Sequence, residues 1–219
     1  MHRKCRVDCR WTSELAYAIG VITTDGNLSP SGRHINITSR DLGLLRTLRK
    51  ILVLENKIGR KARGGHIEKK YYVLQFGDIN FYKFLLHIGL TPAKSRTIGE
   101  LLIPDDVFPD FLRGCIDGDG TIGAFTHPES RNPQIRVRLV SASPKFLWWI
   151  LGTLRQLYEL EGGHVYAQPT KSVSVLSFGI RDSIKILRLM YYRTHLPALA
   201  RKRRLAERFV DLREYMGRW

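Results

Sequence analysis

Two aspartates are the residues of this chain whose surroundings best suit phosphate chemistry. Asp25 and Asp119 each precede a glycine at the end of a similar run, Ala18-Ile-Gly-Val-Ile-Thr-Thr-Asp25-Gly26 and Leu112-Arg-Gly-Cys-Ile-Asp-Gly-Asp119-Gly120. A lone Asp-Gly reads as a turn closing a helix. Two in matched runs read as a paired site. Ala16, Gly20, Gly114 and Gly118 are small enough to let two such helices touch backbone to backbone, which would bring both acids to one spot. Adjacent carboxylates repel unless a cation neutralises them. Their hard oxygens suit Mg²⁺, or another divalent cation such as Mn²⁺, which keeps waters and accepts phosphate oxygens as remaining ligands. An ion so placed polarises a phosphodiester and supplies a bound water as nucleophile.

The elements that must position these acids are themselves repeated. Ile35, Ile37 and Ser39 map onto Val137, Leu139 and Ser141, and the same interval maps Leu45, Leu48 and Leu52 onto Leu147, Ile150 and Leu154. It also carries Leu74-Gln-Phe-Gly77 onto Leu176-Ser-Phe-Gly179. The interval lengthens once, by an insertion placed in the turn Ala124–Pro133. Each copy reads as a helix ending at Asp-Gly, two strands, a helix of apolar spacing, two further strands and a closing helix. The expected fold is α+β: duplicated αββαββα halves with pseudo-two-fold symmetry and two antiparallel sheets forming a saddle. The halves are placed at 1–92 and 110–219, with 93–109 as linker and a basic helix over roughly 198–216.

Composition says what meets those sheets. The chain has 219 residues and 36 Lys+Arg against 20 Asp+Glu, a formal charge of +16. Such a surplus points to a polyanion, with nucleic acid ahead of a membrane surface. A 43% hydrophobic share excludes a disordered basic tail. No apolar run approaches spanning length and no apolar signal core follows Met1, so a soluble, intracellular chain is expected. Three cysteines make no disulfide framework.

Strand alternation nominates the contacts. With Ile35, Ile37, Val137 and Leu139 inward, the outward set is His34, Asn36, Thr38, Arg136 and Arg138, with Arg40 just beyond. The later strand pairs add Arg60, Arg63, Lys69, Tyr71 and Gln75 in the first copy, and Tyr166, Gln168, Lys171 and Ser177 in the second. Arg, Asn, Gln, Ser and Thr hydrogen-bond base edges in a major groove, and Lys and Arg neutralise phosphate. The expected partner is double-stranded DNA.

The two Asp-Gly runs resemble the LAGLIDADG motif of the homing endonuclease family, and the resemblance extends over about residues 13–210. The second run matches closely. The first has Ala18 in place of the usual leucine and Thr23 where the second has Asp117. The resemblance implies a single-chain, two-motif, monomeric endonuclease with Asp25 and Asp119 as metal-binding catalytic acids, and double-strand breaks with short 3′ overhangs. It also implies a basic residue after the last helix of each half: Lys94 in the first, and Lys202 from the run Arg201–Arg204 in the second. Asp117 reads as a helix-end structural residue. The looser first run leaves open an RNA maturase, or a catalytically inactive DNA-binding protein, on the same scaffold.

Overall fold

The computed structural model describes residues 7–62, 70–126, 133–169 and 171–216, the stretch 211–216 as backbone only. The first half runs α1 (Ser13–Asp25), β1 (Gly26–Leu28), β2 (His34–Ser39), α2 (Leu42–Ile51), β3 (Ile58–Lys61), β4 (Tyr71–Gly77) and α3 (Ile79–His87). The second repeats it as α4 (Phe108–Asp119), β5 (Gly120–Phe125), β6 (Gln134–Ser141), α5 (Pro144–Tyr158), β7 (His164–Ala167), β8 (Ser174–Ser177) and α6 (Ile180–Met190), followed by α7 (Ala200–Met216). The class is α+β, as the repeat implies. Each half forms a four-stranded antiparallel sheet, ordered β1-β2-β4-β3 and β5-β6-β8-β7.

Local chemistry sets the helix starts. Thr12 accepts a hydrogen bond from the Leu15 amide at the head of α1, Asp41 from Leu44 at α2, and Asp78 from Asn80 and Phe81 at α3. α4 lacks such a cap and begins instead with proline in its first turn, where the missing N–H has no helical partner to lose. The helix therefore starts at Phe108, and the segment joining the halves stops short of the expected boundary at 109. That segment contains short 3-10 turns at Lys94–Arg96 and Asp105–Val107.

One apolar core runs through both halves. Ile35, Ile37 and Leu74 of the first sheet and Val137, Leu139 and Leu176 of the second are buried under α2 and α5, with α1 and α4 between the sheets contributing Leu15, Ile19, Phe111 and Cys115. Trp149 joins Phe108, Phe111 and Phe146 in this core, and Trp148 is exposed. Among the described residues no helix is long and apolar enough to cross a membrane.

Candidate active site

The two motif helices meet at their glycines. A methyl group on Gly20 would be driven into the Phe111 carbonyl, and one on Gly114 into the Tyr17 carbonyl. Only hydrogen at both positions permits this separation. Further along, a Cβ on Gly118 would collide with the Thr24 hydroxyl and would sit 3.7 Å from the Asp25 carboxyl carbon. Asp25 therefore lies beside the residue preceding Asp119. The close crossing brings both acids to one place, with Asp25 half-buried and Asp119 exposed.

A buried lysine approaches from each half. Lys94 is 5% exposed and its ammonium donates to the Gly26 carbonyl. Lys202, at 4% exposure, donates to the Gly120 carbonyl at 2.7 Å, to that of Asp117 at 3.2 Å and to that of Ile116. Each lysine thus ties down the residue that directly follows a motif aspartate. Burial pushes both down to about 8; the Asp119 and Asp25 carboxylates oppose that shift at Lys94, and Asp117, Asp25 and Asp119 oppose it at Lys202. Both acids act on both lysines, so the four groups form one electrostatic unit.

Asp117 is tied into the scaffold, although its charge also acts on Lys202. Its Oδ2 accepts from the Tyr17 hydroxyl at 2.9 Å and from the Leu199 amide at 2.7 Å, and burial pushes its carboxyl up. It ties α4 to α1 and to the approach of α7. At the matching position Thr23 bonds back to the Ile19 carbonyl at 2.8 Å.

Sequence reasoning missed a second anchor. Arg113, fully buried, pairs with Asp110 at 2.5 Å and donates to the carbonyls of Met190 at 2.7 Å and Pro197 at 2.9 Å. The Tyr192 hydroxyl reaches Asp110 at 3.1 Å. These bonds fasten the strap between α6 and α7 onto α4, and α7 carries Lys202. The available signal was the three-residue spacing of Asp110 and Arg113 on a helix expected to be buried.

The sheet registers sort the outward residues. Asn36 lies opposite Gln75, Arg138 opposite Ser177, and Tyr166 opposite Val175, all on the faces away from α2 and α5. His34, Thr38, Arg40, Tyr71, Arg136 and Gln168 share those faces, Arg40 lies over the Tyr71 ring, and Lys171 is exposed in the turn beyond β7. Two expectations need correction. Arg60 pairs with Tyr72, on the side of Ile58 and Leu74, so its guanidinium stacks on Tyr72 at the rim of the helix-covered face. A one-residue step exchanges faces along a strand, and Lys61, opposite Tyr71, holds the outward position. Ser177 is on the expected face but only 4% exposed, being flanked across the strands by Arg138 and His164. Arg63 and Lys69 lie outside the described residues.

A divalent cation fits this arrangement chemically. The converging donors are hard carboxylate oxygens with positive charge nearby, and the described residues hold no cluster of three or more His, Cys, Asp or Glu. Two protein carboxylates leave room for water and phosphate oxygens, the ligand balance Mg²⁺ favours.

The architecture is that of the LAGLIDADG homing endonuclease fold. No family profile and no curated protein matches the chain; the likeness is to solved structures. Variants of the homing endonuclease I-DmoI superpose with a TM-score of 0.57 at 18% identity, covering 89% of this chain and 97% of theirs. The LAGLIDADG homing endonuclease I-LtrWI, bound to target DNA, gives 0.58 at 12% identity over 93% and 91%. Full-length DUF199/WhiA from Thermatoga maritima gives 0.55 at 15% identity over 94% of this chain and 67% of that one. At these identities the likeness establishes the fold.

Proposed function

We propose that this protein is a site-specific endonuclease that makes divalent-metal-dependent double-strand breaks in a long DNA target. The observation that carries this reading is the convergence of Asp25 and Asp119 at the crossing of α1 and α4, each with a buried lysine fixed at the following glycine. A charge of +16 and two outward sheet faces bearing Arg, Asn, Gln and Thr supply the affinity for duplex DNA. Of the structural neighbours, I-DmoI has been solved with DNA and Mn and with DNA and Ca, and I-LtrWI on its target DNA.

In this mechanism Asp25 and Asp119 would hold the divalent cation, Mg²⁺ or Mn²⁺, which when bound would supply charge neutralisation and an activated water. Lys94 and Lys202 present ammonium protons toward the charge that develops on the phosphates, and their backbone bonds hold the two acid-bearing turns in place. One acid and one lysine per half match one phosphate per strand; short 3′ overhangs are what the resemblance to the LAGLIDADG family implies. The single-chain duplication makes the working unit a monomer.

The test is cleavage of DNA carrying the joined sequences that flank the gene, with Mg²⁺ or Mn²⁺ present. The native protein should cut both strands, and Asp25→Asn and Asp119→Asn should each lower the rate by at least about a hundredfold while still binding. The second reading, an RNA maturase or a catalytically inactive DNA-binding protein on the same scaffold, draws on the looser first run at Thr23-Thr24. Undiminished specific binding with no metal-dependent cutting would establish it instead.

A further inference from the structure

The strand registers arrange side chains in rows across each outward face, and one row in each half begins directly beside the motif acids. In the first sheet Asn27 lies opposite Asn36, and Asn36 opposite Gln75. In the second Thr121 lies opposite Arg138, Arg138 opposite Ser177, and Ser177 opposite His164. These are one row in two copies. Asn27 and Thr121 each follow the glycine whose carbonyl receives the buried lysine, and Asn36 and Gln75 correspond in the repeat to Arg138 and Ser177.

The two copies carry different hydrogen-bonding chemistry. The first row is three uncharged carboxamides, each offering one acceptor and a donor pair, the complement of the N6 amino group and N7 of adenine. Its central member is incomplete: Asn36 Oδ1 is covered and accepts no hydrogen bond among the described residues, while Asn27 and Gln75 are exposed beside it. A base approaching this face meets the exposed Asn27 and Gln75 amides first, and either can turn its own donor toward Asn36 Oδ1. The second row has a donor-only fork at its centre. Arg138 is exposed and engaged by no hydrogen bond or ion pair among the described residues, and covered Ser177 forms the floor beside it. Such a fork matches O6 and N7 of guanine.

On the reading that both sheets lie against DNA, we infer that the base pairs beside the cut are read asymmetrically, as adenine by the Asn27–Asn36–Gln75 row and as guanine by Arg138. The duplicated scaffold supplies equal distances from the centre, and the substitutions within the row make the target non-palindromic there.

Selection of bound duplexes from a randomised library, in EDTA so that they are recovered uncut, tests this with the full chain. The native protein should return adenine near the centre of one half-site and guanine at the matched distance in the other. Arg138→Lys keeps the charge and loses the fork; it should cut the preference for that guanine by between about 5- and 150-fold and leave the adenine untouched. Asn36→Ser should do the converse. Recovery of a target with other bases at these positions, or with preferences unchanged in both variants, overturns the inference and leaves the endonuclease reading standing. Recovery of no enriched duplex overturns both.

Discussion

The Lys94 ammonium donates to the carbonyl of Gly26, the residue directly after Asp25, and Lys202 repeats the arrangement at Gly120 after Asp119. The repeat extends to burial and to the downward shift of both lysines. Both ammoniums are buried and donate to main-chain carbonyls, and a buried charge is costly, which argues for a role in which developing negative charge arrives from outside. Lys94→Met and Lys202→Met should each slow cleavage by roughly 10²–10³-fold with little change in DNA affinity. Because one lysine serves each half, each variant should accumulate nicked rather than linear plasmid. Single-turnover cleavage of a supercoiled target, read on a gel, separates these products.

The same lysines give folding stability a characteristic pH dependence in metal-free protein. Each is depressed from about 10.5 to about 8 in the fold, so between those values the unfolded chain binds more protons than the folded one. Stability must then rise as pH increases from about 8, by on the order of 3–3.5 kcal/mol per lysine at most. Tyr17 and Tyr191 act oppositely. Burial raises both from the usual value of 10, so above that pH the unfolded chain loses protons the folded one keeps, and stability falls. Urea unfolding in EDTA should show a maximum between pH 9 and 10, and the rise toward it should vanish in a Lys94→Met/Lys202→Met double variant.

The duplication was legible because inward apolar residues recur in register: Ile35, Ile37, Val137 and Leu139 all fall where alternation puts them. The crossing of the motif helices was legible from Gly20 and Gly114, since residue size alone limits how near two backbones come. Arg60 was not, because β3 is a four-residue edge strand with one inward hydrophobe, Ile58, too little pattern to fix a register. Ser177 lay on the proper face, but its burial depends on the lengths of its cross-strand neighbours, which no single-strand pattern contains. Buried Arg113 ran against the usual placement of arginine. Its partners, the Met190 and Pro197 carbonyls, are brought to it only by the tertiary path of the strap.

That buried pair makes its own prediction. Asp110 and Arg113 are 1% and 0% exposed, so removing one partner strands the other charge. Arg113→Met and Asp110→Leu should each cost about 3–5 kcal/mol, whereas the double variant should be distinctly less damaged than either. Equal or additive losses in chemical denaturation would show that the pair is not coupled. Tyr192→Phe, which removes the hydroxyl's bonds to Asp110 and to the Ser13 hydroxyl, should cost about 1–2 kcal/mol. In all these variants cleavage should fall further than binding, because the strap they loosen leads to α7 and Lys202.

The helix crossing gives the sharpest contrast in stability. At Gly20 and Gly114 an added methyl meets the carbonyl oxygen of the opposite helix, and neither backbone can move away without separating Asp25 from Asp119. Gly20→Ala and Gly114→Ala should each destabilise the protein by at least about 3 kcal/mol, at or above the usual cost of overpacking, since the obstructing atoms are main chain rather than flexible side chain. Gly152, exposed on α5, has nothing within 4 Å of its would-be Cβ. Gly152→Ala should therefore stabilise by about 0.5–1 kcal/mol through helix propensity alone. Thermal and urea unfolding of the three variants side by side checks the signs. If the two motif alanines were tolerated as well as the one on α5, α1 and α4 would have to cross at a greater separation, and the paired-acid site would lose its geometric basis.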